Sequence, residues 1–236
     1  MQAREPNVEW CEGHTHAFAV VPWCAELGNT LSNLCFVVVA CIGWRRCLQQ
    51  ALPASFVYTE TVILFVGVAS ALFHATQDPR AELLDELSMT MLGTGYLLVL
   101  RNRHSCTREL NAWRGLCLAY ALLVGTAWVL YVYRGWYEVF KTCFTVQVVI
   151  PAGVSFVAAP AGARQWWWAF LVCIAVGKLA WEVEQELYRS GRCPSSTQHA
   201  AFWLHPAWHA CSAAAHACWM RHVSAIPVLK GRSHRD

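Results

Sequence analysis

Apolar stretches of about twenty residues separated by short polar connections dominate the chain, at roughly 25–44, 56–76, 82–100, 113–133, 139–159, 166–187 and 201–220. Each matches the ~20 residues a helix needs to cross a ~30 Å hydrocarbon core. The pattern predicts an all-α integral membrane protein, a bundle of seven transmembrane helices over residues 25–220. An outer segment, 1–24, precedes it and an inner tail, 221–236, follows. Pro151 is expected to kink the fifth helix. Lys178 and Glu182 in the sixth are four residues apart and are expected to pair. Composition agrees: 56% of the 236 residues are hydrophobic and only 14% charged, with 13 Trp, outside the range of a soluble domain. Trp166, Trp167 and Trp168 read as part of an interfacial aromatic belt.

Basic residues orient the bundle. With the N-terminus outside, the inner face receives Arg45, Arg46, Arg101, Arg103, Arg108, Arg114, Arg164, Arg221, Lys230, Arg232 and Arg235. The outer face keeps only Arg4, Arg80, Arg134, Arg189 and Arg192. The positive-inside rule therefore predicts N-out, C-in. Residues 1–24 lack the basic-then-apolar pattern of a cleavable signal peptide. The formal charge of +3 sits mostly on inner loops and tail, so it reads as topology and anionic-lipid contact, not nucleic-acid binding.

Against this apolar background the polar residues stand out, because carrying an ionisable group into hydrocarbon costs several kcal/mol unless something compensates. Ser70 and His74 lie four residues apart and share a face at the outer end of helix 2. After the short Gln77-Asp78-Pro79-Arg80 turn, helix 3 opens with Glu82, Asp85 and Glu86, whose simplest role is to complement the helix dipole. The turn makes the two helices antiparallel and brings Asp85 towards His74. Helix 7 starts on the same outer face with His205 and His209, again four apart, the spacing of a zinc site on a helix. Three imidazoles at one depth, with a fourth position open to water, describe a catalytic zinc. On residue types alone a proton relay explains them as well. His199, His216 and His222 compete for the ligand role, the first from a loop, the second about two turns deeper, the third at the inner end. Asn29, Thr30, Ser32 and Asn33 in helix 1 are expected to make interhelical hydrogen bonds.

In the outer segment, Glu9, Trp10, Glu12 and nearby Glu26 are either a solvated acidic strip or oxygen ligands for a hard cation such as calcium. Most of the 12 cysteines lie within helices, where Cys acts as a small hydrophobe. Cys11 and Cys193 are both on the outer side, where oxidation is permitted, and are expected to form a disulfide.

Ser70-x-x-x-His74, Asp85-Glu86-Leu87-Ser88-Met89 and His205-x-x-x-His209 together resemble the signatures of the alkaline ceramidase family. That family is part of a wider group of seven-helix membrane proteins, proposed to be hydrolases, which includes adiponectin-type receptors. Trp10-Cys11-Glu12 and Glu26 through Asn33 resemble its N-terminal motif and first helix, so the likeness runs from Glu9 to about His209. It implies a seven-helix bundle with zinc at its outer or lumenal mouth and hydrolysis of the ceramide amide to sphingoid base and fatty acid. It makes His74, His205 and His209 the zinc ligands, Ser70 a group holding the substrate carbonyl or developing oxyanion, and Asp85 the partner of the zinc-bound water. Zinc lowers the pKa of water towards ~7, and a carboxylate beside it can accept a proton and return it to a leaving amine. The family's calcium motif departs here: Glu9 stands where Asp is usual, His14 where Asn is usual, and extra residues separate Glu12 from Glu26. Imidazole is a poor calcium ligand, so the implied set reduces to Glu9, the Trp10 carbonyl, Glu12 and Glu26.

The resulting expectation is a zinc-dependent integral-membrane amidase acting on ceramide or a close lipid amide drawn from the bilayer. Its home is the ER or Golgi membrane in a eukaryote and the inner membrane in a bacterium. The rival is a receptor or regulatory protein of the same seven-helix group with little turnover.

Overall fold

Backbone amides in hydrocarbon have no water to bond, so an apolar chain satisfies them within the segment, as an α-helix. In the computed structural model, which describes residues 8–15, 21, 23–103 and 110–226, each long apolar stretch is helical and no strand occurs among the described residues. The helices are α1 (Cys11–Thr15), α2 (Leu27–Ser32), α3 (Leu34–Gln49), α4 (Ala54–Thr76), α5 (Pro79–Arg103), α6 (Leu110–Arg134), α7 (Tyr137–Ala158), α8 (Arg164–Arg189) and α9 (Leu204–Ser224). Among the described residues, six spans are long and apolar enough to cross a membrane: α2 with α3 as Leu27–Gln49, then α4, α5, α6, α7 and α8. Helix α9 has 21 residues, a comparable length, but carries His205, His209, His216 and His222, all buried. The chain is a multi-pass integral membrane protein. Arg4, Arg108, Lys230, Arg232 and Arg235, and the side chains of His14, Arg103 and Arg114, lie outside the described residues.

The helices overrun their expected limits because backbone hydrogen bonding continues past the apolar run. The first reaches Gln49 and the third starts at Pro79. The last begins at Leu204, because Ala200–Trp203 coils into a 3-10 turn ahead of it. Pro151 is buried inside α7 without ending it. Exposed and buried chemistry are inverted relative to a soluble protein. Leu31, Ile42, Leu122, Val149 and Val157 are exposed on the bundle's surface, while Asn29, Glu60, Ser70, His74 and Glu184 are buried. Lipid accepts the first group and would strand the second.

Two local devices set the geometry at one end of the bundle. Between α4 and α5, Gln77 takes a left-handed conformation with φ 52 and its amide closes on the Phe73 carbonyl at 2.7 Å. Asp78 Oδ1 accepts from the Arg80 amide at 2.7 Å, so the two helices turn back within a few residues. Cys11 and Cys193 have Cα atoms 5.2 Å apart, a separation a disulfide bridges, which lays α1 against the connection between α8 and α9. The α8–α9 contact is close at Gly177, where a Cβ would lie 2.9 Å from the Cys211 Cβ.

Candidate metal centre

The last turns of α4 and the first of α9 meet at this end. His74, His205 and His209 are all buried, and each offers one ligand atom within 4.8 Å of the others. His205 and His209, four apart, share a face, and their ring centroids lie 4.5 Å apart. His205 Nε2 and His74 Nε2 are 3.1 Å apart. Two ligands on a tetrahedral zinc, with bonds of about 2.0–2.1 Å, stand roughly 3.3 Å from one another, so the donor set fits that ion.

The other ring nitrogens are held from outside. His74 Nδ1 lies 2.6 Å from Glu26 Oε2, so the proton belongs on Nδ1 and Nε2 keeps its lone pair. Ser32 Oγ donates to the Asn29 carbonyl at 2.8 Å and, its one proton used, accepts from His209 Nδ1 at 2.7 Å. His205 Nδ1 approaches Glu184 Oε2 at 3.7 Å. Both atoms are buried and make no hydrogen bond among the described residues, so a small ring rotation would join them. Carboxylate and hydroxyl partners of this kind fix the tautomer and orientation of metal-binding histidines. Trp10 lies against the His205 ring, with centroids 3.7 Å apart.

Ser70 and Asp85 approach each other across the α4–α5 pair, near enough for the serine hydroxyl to act on the carboxylate. With the three imidazoles they line one cavity of about 430 Å³ whose remaining wall is mainly apolar and aromatic, including Phe73, Phe140, Phe144 and Trp181. A metal donor set, a serine and a carboxylate thus share the wall of a largely apolar cavity.

The acidic residues near the N-terminus have polar partners of their own. Tyr188 donates its hydroxyl to Glu9 Oε2, and the Glu9 carbonyl accepts from Gln185 Nε2 at 3.1 Å. Glu12 accepts from the amides of Gly28 at 2.6 Å and Asn29 at 2.8 Å. Burial pushes its carboxyl up from the ordinary 4.5, and Glu26 adds to this, while the two amide bonds pull it down. Among the described residues, Glu9, Glu12 and Glu26 do not converge into a group of three ligand oxygens as the imidazoles converge. Glu26, expected as a calcium ligand, also meets the His74 ring, and the Trp10 ring lies against His205, whereas the ligand atom expected of Trp10 is its backbone carbonyl.

The competing histidines are accounted for elsewhere. His199 Nδ1 accepts from the Ala201 amide at 3.2 Å. His216 meets Glu60 Oε2 at 3.1 Å and the Tyr96 hydroxyl at 3.1 Å. His222 faces the carbonyls of Ala163 and Ser155, each at 3.1 Å. Sequence reasoning missed Glu184 and gave Ser32 only a general packing role. The available signal for Glu184 was an acid two residues beyond Glu182, hence on the opposite face of α8, in an apolar segment where acids need partners.

Comparison with known proteins is consistent with this geometry. The Ceramidase family profile matches residues 2–235. An alkaline ceramidase of Saccharomyces cerevisiae is 30% identical over 158 residues, 63% of this chain and 49% of its own. One from Caenorhabditis briggsae is 32% identical over 98 residues, 40% of this chain and 35% of its own. An alkaline ceramidase 3 of Mus musculus is 30% identical over 83 residues, 35% of this chain and 30% of its own. The chain thus spans half or less of the length of each of these curated relatives.

Proposed function

The chain belongs to the Ceramidase family, and from that premise we propose that it hydrolyses the amide bond of ceramide, or of a close lipid amide, with a zinc ion on His74, His205 and His209. What carries the reading is the meeting of the three imidazoles with Ser70 and Asp85 on the wall of one apolar cavity. Zinc bound there supplies Lewis acidity towards the amide carbonyl and acidifies water.

The chain's own groups do the rest. Asp85 takes the proton from the attacking water and returns it to the nitrogen of the leaving sphingoid base, the acid–base cycle an amide needs because its amine leaves poorly unprotonated. Ser70, beside Asp85, aims that carboxylate and turns its hydroxyl to the carbonyl oxygen as charge develops on it. Glu26 and Ser32 hold His74 and His209 in their tautomers, and Glu184, 3.7 Å from His205 Nδ1, would do the same for His205 after a small ring rotation. The apolar wall takes the acyl and sphingoid chains, so the amide is positioned while the chains remain out of water. In this reading the bundle has seven spans, α9 being the last, with the centre at the outer or lumenal mouth, N-terminus outside and C-terminus in the cytoplasm. The Cys11–Cys193 disulfide ties the segment bearing Trp10 and Glu12 to the outer loop; a non-reducing peptide map that finds both thiols free would remove it.

The test pairs metal analysis of the detergent-purified protein with fatty-acid release from a ceramide panel, for wild type and His205→Ala. Zinc near one per chain with hydrolysis, both lost in the variant, is the expected outcome. Zinc without turnover of any ceramide would favour a receptor-type protein, and absence of zinc would refute the metal centre.

A further inference from the structure

At the end of the bundle opposite the imidazoles lies a second cavity, of about 610 Å³, where the C-terminal ends of α3 and α9 meet the start of α8. Its wall contains two guanidinium groups, Arg46 from α3 and Arg221 from α9, and no carboxylate among the described residues. Each is positioned by a neighbour that also lines the cavity. Arg46 donates to Ser224 and, from Nε, to Gln50 Oε1 at 3.4 Å. The Arg221 guanidinium lies over the Trp166 ring, 4.7 Å from its centroid. Neither arginine has an ion-pair partner among the described residues. Two like charges on one open cavity repel each other; Glu60 acts on Arg46 from nearby and the C-terminal ends of α3 and α9 offset part of the charge, and an anion between the two arginines would offset more. Ala163 and Trp166 on the same wall mark the N-terminus of the 26-residue α8, whose dipole is positive there, opposite in sign to the C-terminal ends of α3 and α9.

We infer that this cavity binds a phosphate group, and specifically the headgroup phosphate of an anionic membrane lipid. Arginine presents a planar fork of donors that matches phosphate oxygens, and a Trp face keeps one fork in place. Basic pockets between transmembrane helices take such headgroups, and the cavity sits where the apolar spans end. The site is separate from the imidazole centre and independent of the amidase reading. Its occupant bridges α3, α8 and α9, two of which carry groups of the metal centre, Glu184 on α8 and His205 and His209 on α9.

The test uses full-length protein in phosphatidylcholine nanodiscs and a fluorescent phosphatidic acid as probe, with fluorescent phosphatidylcholine as the neutral control. Wild type is expected to bind the anionic probe saturably and in a salt-sensitive way, and the neutral probe not at all. The exposed single variant Arg221→Gln should weaken binding about fivefold, and Arg46→Gln with Arg221→Gln roughly 30-fold, taking ~1 kcal/mol per arginine. Circular dichroism checks that each variant folds. If the double variant does not fold, the wild-type lipid comparison and the single variant still decide. Equal binding of both probes, or binding unchanged in folded variants, overturns the site. Protection of the protein by millimolar inorganic phosphate without retention of phosphatidic acid overturns the lipid as source.

Discussion

At the scale of single residues, the contact that decides most is Glu26 with His74. A carboxylate 2.6 Å from Nδ1 raises the basicity of the opposite nitrogen and holds the ring, and losing such a partner typically costs 10–100-fold in metal affinity. Glu26→Gln keeps an acceptor and removes the charge. Zinc affinity measured by competition with a chelator should fall about tenfold or more, with the helical content unchanged. Ser70→Ala separates chemistry from metal: zinc content should hold while fatty-acid release falls about 100-fold, the scale of one lost oxyanion donor. The imidazoles were legible in the sequence because i, i+4 spacing survives any detail of packing. Glu26, Glu184 and Ser32 were not legible as their partners, because which acid meets which ring depends on how α2, α8 and α9 cross, and no local pattern encodes that.

Among the elements, the intrahelical pair Lys178–Glu182, at 2.9 Å, formed as the spacing required, since both partners ride on one helix. Interhelical approach is a different matter, and Gly177 shows why. Helix α9 is too polar to be held by lipid alone, so its position depends on close packing against α8, where the Gly177 Cβ position lies 2.9 Å from Cys211 Cβ and 3.1 Å from the Trp208 ring. Gly177→Ala would force these helices apart, and overpacking of this kind costs about 1–3 kcal/mol. Thermal unfolding in detergent should show a lower midpoint for Gly177→Ala. Gly125→Ala, in α6 with nothing within 4 Å of the added carbon, should leave it unchanged or slightly raised. From sequence both glycines look alike within apolar helices; only the neighbour distinguishes them.

For the whole molecule, the arrangement of helices determines how a substrate arrives. The cavity at the imidazoles is lined from α7 by Val149 and from α8 by Leu171, and both are exposed, Val149 at 59% and Leu171 at 37%. Exposed apolar residues from two neighbouring helices on one cavity wall point to an opening between α7 and α8, through which the chamber would meet the bilayer. On the proposed function, a lipid amide would slide in there with its chains already in hydrocarbon, with no desolvation step between membrane and site. The sequence could place apolar residues on both helices but not reveal that the helices part there, because a gap is a property of two elements and their common neighbours. Val149→Trp, made together with Leu171→Trp, would fill that gap with two indoles while touching none of the imidazoles, Ser70 or Asp85. The expected outcome is a drop of about tenfold or more in kcat/KM for long-chain ceramides in nanodiscs, with zinc content unchanged, since the loss is in access and not in chemistry. A water-dispersed short-chain ceramide, able to enter from the aqueous mouth, should lose much less. Equal losses for both substrates would mean the double variant had damaged the centre itself, and no loss for either would place the entry route elsewhere.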